Sequence, residues 1–286
     1  MKHFKQNIKL YFLVFLLFLN IFIFYSLYYI NEASLIIAFL NVGQGDAIFI
    51  EAPGGVQMLI DGGPDNKVLR ELGQVMPFYD RSIDVVVATH ADQDHIGGLV
   101  EVLKRFNVGL FIRTNTTSTS AVYNELENLV KEKKIKKEVI ISPKILSLGS
   151  QAEFDIFFPN QNTSGWETND SSIVGKVIYG KNSFLLMGDS PLAIEKYLVG
   201  KYGADLKSDV LKVGHHGSKN SNSEIFVGTV SPTYSVISAG LNNRYGHPSS
   251  EAVSILTRLG GQILETLVQG TIQFKSDGES LILEKL

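Results

Sequence analysis

The chain opens on one unbroken apolar stretch and then settles into short apolar runs separated by glycines and polar turns. From Leu10 to Ile30 no residue is charged, and only Asn20, Ser26 and the tyrosines interrupt aliphatic and phenylalanine side chains. At about 1.5 Å of rise per residue, such a helix spans about 30 Å, the thickness of a bilayer core. Lys2, Lys5 and Lys9 precede it, Glu32 follows it, and Tyr25, Tyr28 and Tyr29 gather near its far end. Basic residues stay on the cytoplasmic side and aromatic rings favour the interface. This pattern predicts a short basic tail over 1–9, a membrane-spanning anchor over 10–30, and an extracytoplasmic domain over 35–286. A cleaved signal peptide is the competing reading. It would carry a shorter apolar region and a small-residue cleavage site, and no Ala-x-Ala is present.

Beyond the anchor the runs are short, as strands are. Leu35 to Val42, Ala47 to Ile50 and Val56 to Ile60 are β-prone and separated by Gly43-Gln44-Gly45-Asp46 and by Gly54-Gly55. Ile83 to Ala88 is rich in valine, as in a strand buried on both faces. Ile96, Leu99, Leu103 and Phe106 then recur at helical spacing, which predicts a helix starting at or just after His95. Further strands are expected at Phe111 to Arg113, Ile145 to Leu148, Ala152 to Phe158, Phe184 to Met187, Val210 to Val213 and Ser235 to Ala239. Tyr123 to Val130 and Ser250 to Leu259 read as helices. Leu264 to Val268, Thr271 to Lys275 and Leu281 to Leu283 read as edge strands. The run Lys131 to Glu138 reads as a solvated helix end, with a polyanion contact such as DNA as the alternative. Asn160 to Ser172 is a polar rim carrying the lone Trp166.

The chemistry gathers at Thr89-His90-Ala91-Asp92-Gln93-Asp94-His95-Ile96-Gly97-Gly98. A tight loop leaving a strand can aim His90 and Asp92 at one point, and Asp94 and His95 at a neighbouring one. Divalent metals want such carboxylates and imidazoles held together in advance. Two ions about 3.5–4 Å apart would clamp both the attacking and the leaving oxygen of a displacement. The 286-residue chain has no cysteine, which excludes thiolate ligands, disulfides and a cysteine nucleophile. Its formal charge of −3 gives no bulk sign of a nucleic-acid binder, so any such contact must be a local patch.

Further candidates sit at later strand ends. Gly188-Asp189-Ser190 places a carboxylate beside a glycine. Gly214-His215-His216-Gly217-Ser218 offers adjacent histidines, which cannot both point inward from a regular strand. One would ligate or act as acid while the other bonds elsewhere. Ser218 would bind a phosphate oxygen or cap the next helix. Asn242-Asn243-Arg244-Tyr245-Gly246-His247-Pro248 contributes His247 as a last ligand or acid and Arg244 as a clamp for phosphate or carboxylate.

These motifs resemble the metallo-β-lactamase fold, whose usual signature is His-x-His-x-Asp-His. The form with Asp92 in the third position, together with Phe39 to Ala47, His215 to Ser218 and Asn242 to Pro248, resembles the hydrolase domain of the bacterial competence protein ComEC. The resemblance runs from about Leu35 to Leu286. It implies an α/β fold, a four-layer αββα sandwich of two mixed sheets with helices outside. It implies one or two divalent ions, zinc or manganese, on His90, Asp92, Asp94, His95, a bridging Asp189 and His215. Asp94, His216 and His247 would handle protons or water, while Ser218 and Arg244 hold substrate. Asp61 would brace the metal loop, with Asp46 in support. In many relatives a mid-chain histidine completes the first site. Here Asn169-Asp170-Ser171-Ser172 occupies that stretch, and Asp170 or Asn169 would stand in. Asp92 in place of histidine makes the first site richer in oxygen and widens the metal choice.

The implied activity is hydrolysis by a metal-activated water of a phosphodiester, with DNA outside the cell as substrate and the membrane as support. Two other readings stay open. One is a surface hydrolase of another phosphodiester or ester. The other is a tethered binding subunit whose site is degenerate.

Overall fold

The computed structural model describes residues 2–32, 34–149, 151–241 and 243–284; within the first helix, side chains are described over 7–25. Tyr28, Tyr29, Lys2 and Lys5, invoked above for the anchor, have side chains outside the described residues, as does Asn242 of the late motif.

Among the described residues, fifteen strands form two sheets. The first contains β1 (Leu35–Phe39), β2 (Ile48–Glu51), β3 (Gln57–Ile60), β4 (Ser82–Ala88), β5 (Asn107–Thr114), β6 (Lys136–Ile140), β14 (Ile272–Ser276) and β15 (Leu281–Glu284), in the order β15-β14-β1-β2-β3-β4-β5-β6. The second contains β7 (Lys144–Leu148), β8 (Ala152–Phe158), β9 (Val174–Tyr179), β10 (Asn182–Leu186), β11 (Val210–Lys212), β12 (Tyr234–Ile237) and β13 (Gln262–Glu265), in the order β13-β12-β11-β10-β9-β8-β7. Each sheet is mixed. The strands β3 to β6 run parallel in one, and β10 to β13 run parallel in the other.

The helices are α1 (Lys2–Glu32), α2 (Lys67–Val75), α3 (Gln93–Arg105), α4 (Ala121–Glu132), α5 (Leu192–Tyr202), α6 (Glu224–Val230), α7 (Ser250–Leu259) and the single turn α8 (Thr266–Gln269). Three apolar clusters define four layers. Residues such as Ile37, Phe154, Phe184 and Phe274 fill the space between the sheets. Val86, Leu99 and Leu126 pack α2, α3 and α4 against the first sheet. Leu198, Leu211 and Phe226 pack α5, α6 and α7 against the second. Because both faces of each sheet are covered, the central strands read as near-continuous apolar runs. The αββα sandwich expected from the sequence is the observed fold. The helix α1 is exposed along its described side chains, and over Asn7–Tyr25 its mean hydropathy of 2.3 makes it long and apolar enough to cross a membrane.

Several local expectations need correction. The basic run is split: α4 ends at Glu132, and Lys136–Ile140 is the edge strand of the first sheet, where exposed lysines oppose pairing with another chain. Strand β14 lies between β15 and β1, so it is interior rather than an edge. Val268 belongs to the turn α8, since β13 stops at Glu265. Helix α3 begins at Gln93, two residues earlier than expected, which places Asp94 and His95 in its first turn. The hydrophobic pattern marks no element at α2, β9 or α5.

Candidate metal centre

Most of the candidate side chains follow the C-terminal ends of parallel strands. Asp61 leaves β3, His90 leaves β4, Asp189 leaves β10, and His215 and His216 leave β11. The two sheets face each other, so these ends meet across one seam. Close backbone approach sharpens the convergence. Gly45 has φ +123°, and a Cβ there would lie 2.0 Å from the Asp94 carbonyl oxygen. The same approach lets the Asp46 amide donate to that carbonyl at 3.3 Å. A Cβ on Gly98 would lie 1.9 Å from the Gly62 carbonyl, so α3 can sit directly against the turn that carries Asp61.

At the centre, Asp189 is surrounded by imidazoles. Its Oδ1 is 3.3 Å from His95 Nε2, and its Oδ2 is 3.4 Å from His216 Nε2, 3.7 Å from His215 Nε2 and 3.9 Å from His90 Nε2. Asp94 Oδ2 lies 3.5 Å from His216 Nε2, and Asp92 Oδ2 lies 3.8 Å from His90 Nε2. The far side of each buried ring is engaged. Thr89 Oγ1 donates to Asp61 Oδ2 at 2.6 Å and so accepts from His90 Nδ1 at 3.0 Å. His95 Nδ1 donates to Asp61 Oδ2 at 2.7 Å, and His216 Nδ1 donates to the Ser238 carbonyl at 2.8 Å. With every Nδ1 engaged on its far side, three Nε2 atoms face the same carboxylate.

This centre lies inside the segment, residues 40–240, that matches the metallo-beta-lactamase superfamily model. The chain belongs to the metallo-β-lactamase superfamily. Among curated proteins it is 31% identical to ComE operon protein 3 of Bacillus subtilis, over 82% of this chain and 32% of that protein. It is 29% identical to Competence protein ComA of Neisseria gonorrhoeae, over 85% of this chain and 32% of that one. Recombination protein 2 of Haemophilus influenzae matches at 30% identity, over 82% of the chain and 28% of its own length. The chain thus spans about a third of the length of the curated relatives it matches. Among solved structures, the metallo hydrolase Igni18 of Ignicoccus hospitalis superposes with a TM-score of 0.55 at 14% identity, covering 84% of this chain and 98% of that one. The metallo-β-lactamase fold protein YhfI of Bacillus subtilis does so at 0.53 and 12% identity, covering 82% and 98%. These likenesses concern the fold. Superfamily members are generally metal-dependent hydrolases, and the His/Asp cluster here is of the kind that holds a divalent ion.

The residues present fit such an ion. Among the described residues, His90 Nε2, His95 Nε2, His216 Nε2 and Asp189 Oδ1 are buried with no hydrogen-bond partner. Four unpartnered polar atoms in one place would be costly unless something positive sits between them. They fall into overlapping groups, His90-His95-Asp189, Asp94-His95-His216 and Asp46-Asp189-His216, with ligand atoms within 4.8 Å of one another.

The metal-free electrostatics are uneven. Burial and the neighbouring His95 lower the pKa of His90, so it is neutral and ready to ligate. Burial opposes charge on His95 too, but Asp189 and Asp61 outweigh it and raise its pKa well above the usual range. Asp189 and Asp46 do the same for His216. Asp189 itself is held well below the carboxylate range, because His216 and His95 overcome its burial. Burial would raise Asp94, yet the nearness of His216 and His95 brings it down to about 2.

The placement departs from expectation at several positions. The two adjacent histidines do not lie on a strand. His215 (φ 49°) and His216 (φ 54°) are both left-handed, and that backbone turns both rings towards Asp189. His216 is the buried member and joins the donor groups, whereas His215 belongs to none of them. Asn169, not Asp170, lines the cavity beside Asp92, Asp94 and Asp189. Ser218 does not cap α6, whose N-cap is Ser223; its hydroxyl accepts from the Asn220 amide at 3.2 Å. Arg244 stands at the rim, bonded to the Tyr245 hydroxyl at 2.6 Å, and His247 lines the cavity.

The sequence reading gave Lys212 no role. It is fully buried, donating to Asp46 Oδ2 at 2.7 Å and to the Val213 carbonyl at 3.0 Å. Burial would raise the pKa of Asp46, but Lys212 and His216 drive it far below the usual range. A lysine inside an otherwise apolar strand was the signal available for it. Ser238 left none, since its contribution is a backbone carbonyl.

Proposed function

We propose that this protein is a membrane-anchored, divalent-metal-dependent phosphodiesterase whose substrate is DNA. The observation that carries the reading is the set of three imidazole Nε2 atoms aimed at buried Asp189, with Arg244 outside. Relatives named for competence and recombination, at 29–31% identity, support the nucleic-acid substrate, and the apolar α1 supports the anchor; the domain is placed outside the cell in this reading.

In this reading His90, Asp92, Asp94, His95, Asp189 and His216 hold one or two ions, zinc or manganese. An ion held there supplies the Lewis acidity that brings the pKa of water towards neutrality. Asp94 brings a carboxylate to this set, its Oδ2 3.5 Å from His216 Nε2. It orients and ligates. His247 is the group for proton transfer. Burial and the neighbouring His215 and His216 lower its pKa, so it is neutral. It lines the cavity, so it can take a proton from water and return it to the leaving oxygen. Arg244 neutralises the substrate's remaining anionic oxygens. Asp61 and Asp46 touch no substrate and hold His95 and His216 in place.

The test uses the full chain in detergent, stripped with chelator and reloaded separately with zinc and with manganese. Wild type should cleave DNA only when reloaded, and Asp94→Ala should lose activity by orders of magnitude with an unchanged circular-dichroism spectrum. Normal cleavage by that variant, or by the stripped protein, would refute the assignment. In cell fractionation the full chain should remain with membranes after high-salt washing. Recovery in the soluble fraction would remove the anchor from the proposal.

A further inference from the structure

The cavity at the centre measures about 140 Å³ and is lined almost wholly by polar side chains. Sites that engulf a whole small molecule measure about 300–1,000 Å³. This one admits the reacting group and leaves the rest of the substrate to run over the rim. The rim therefore decides what is recognised.

One rim segment is built unusually firmly for an exposed loop. The side chain of Asn243 ties Gly240, Tyr245 and His247 together. Its Nδ2 donates to the Gly240 carbonyl at 2.9 Å and to the His247 carbonyl at 2.5 Å. Its Oδ1 accepts from the Tyr245 amide at 3.2 Å and from the His247 amide at 3.0 Å. Gly240 is tied in turn to Gln44, across the cavity mouth, at 3.1 Å. On this fixed turn Tyr245 is 51% exposed and still lines the cavity. Its ring lies nearly parallel to His247, at 16° with centroids 5.9 Å apart. The Arg244 guanidinium sits 4.8 Å from the Tyr245 centroid and within the field of Asp94. Leu241, 72% exposed, extends the apolar part of the same loop.

A half-exposed tyrosine that lines the mouth of this cavity beside a planar cation has a specific use. We propose that Tyr245 is a stacking platform for a nucleobase, so that the centre takes single-stranded nucleic acid with one base on this ring and the adjoining phosphate in the cavity. The proposal rests on the phosphodiesterase reading. Single strands expose base faces that a duplex keeps stacked, and aromatic and guanidinium planes are what such faces bind. Arg244 takes the charge of the neighbouring phosphate while Tyr245 takes the base. An isolated surface tyrosine would carry no such meaning. This one lines the cavity of the carboxylates and stands on a turn locked by four hydrogen bonds from one asparagine.

The experiment compares oligothymidylate with an oligomer of the same length whose residues are abasic, on the full chain in detergent. Two quantities are read: kcat/KM with manganese, and binding by fluorescence anisotropy in chelator without metal. Wild type should favour the base-bearing strand by about tenfold or more in both, the scale of one base–aromatic stack. Tyr245→Ala should bring that ratio close to one, and Tyr245→Trp should keep it. Equal cleavage and equal binding of the two strands by wild type would overturn the platform while leaving the phosphodiesterase standing. So would a ratio that survives Tyr245→Ala. Failure to cleave either strand, or bis(p-nitrophenyl) phosphate, with any divalent ion would overturn the phosphodiesterase reading itself, and the platform with it.

Discussion

Replacing Asp61 by asparagine changes one atom beneath the candidate centre and should weaken metal binding without removing a ligand. Asp61 accepts from the Thr89 amide at 2.8 Å, from Thr89 Oγ1 at 2.6 Å and from His95 Nδ1 at 2.7 Å. Its backbone is left-handed, with φ 58°. Asparagine tolerates that conformation, whereas alanine would add strain of its own. In Asp61→Asn the amide oxygen can still serve Thr89 N, but the NH2 group then faces Thr89 Oγ1 and His95 Nδ1. The escape open to His95 is to change tautomer and accept at Nδ1. That puts the remaining proton on Nε2, the atom 3.3 Å from Asp189 Oδ1. A protonated Nε2 cannot ligate. Loss of such a supporting carboxylate costs about 10–100-fold in metal affinity, equivalent to about 1.4–2.7 kcal/mol. The direct loss of charge-assisted hydrogen bonds adds about 1–3 kcal/mol to the cost of folding, a fall in Tm of some 2–4 °C for each kcal/mol. Affinity is read by competition against a calibrated chelator, and stability by thermal unfolding of the metal-free protein, so the two effects separate. If Asp61→Asn binds metal within twofold of wild type, the tautomer argument is wrong.

Two further predictions concern buried charge. Lys212→Met leaves the Asp46 carboxylate buried without its cation, and should destabilise the metal-free protein by about 3–5 kcal/mol in denaturant unfolding. Adding Asp46→Asn to it should recover most of that loss, and a single variant within 1 kcal/mol of wild type would contradict the pairing. The second prediction is of pH dependence. In the metal-free protein His95 and His216 have pKa values raised well above 6.5, so their ion pairs with Asp189 contribute stability that is fully present below pH 6.5 and is lost as pH rises through the raised values. An incoming ion must displace those protons. Metal affinity should therefore climb with pH across the neutral range, with protons released on binding. Calorimetry in buffers of different ionisation enthalpy reads that release, and pH-independent binding without proton release would sink the assignment.

The sequence reading carried the order of strands and helices around the metal loop a long way, because buried parallel strands announce themselves as β-branched runs and their C-terminal ends as glycine and polar breaks. His90, Asp92, Asp94 and His95 stood out for the same reason: four ligand-type side chains in one short loop are a local fact. Asp61, Asp189 and His247 were legible only through resemblance to a family, since a lone aspartate after a strand carries no signal. Near the sheet edge the charge pattern misleads: Lys136–Ile140 looks like solvated helix, yet an edge strand with one face towards water also tolerates lysine.

What the linear pattern determined by itself was where most strands and helices lie, which stretch is apolar enough for a bilayer, and which loop is rich in ligands. What only the tertiary structure decided was convergence. That both His215 and His216 face Asp189, with His216 the buried one, depends on two left-handed backbone angles, and no side-chain pattern encodes those. That Lys212 neutralises Asp46 across 166 residues depends on the seam between two sheets. Periodicity reports a residue's own element, while a site is made of distances between elements, and those exist only once the two sheets have packed.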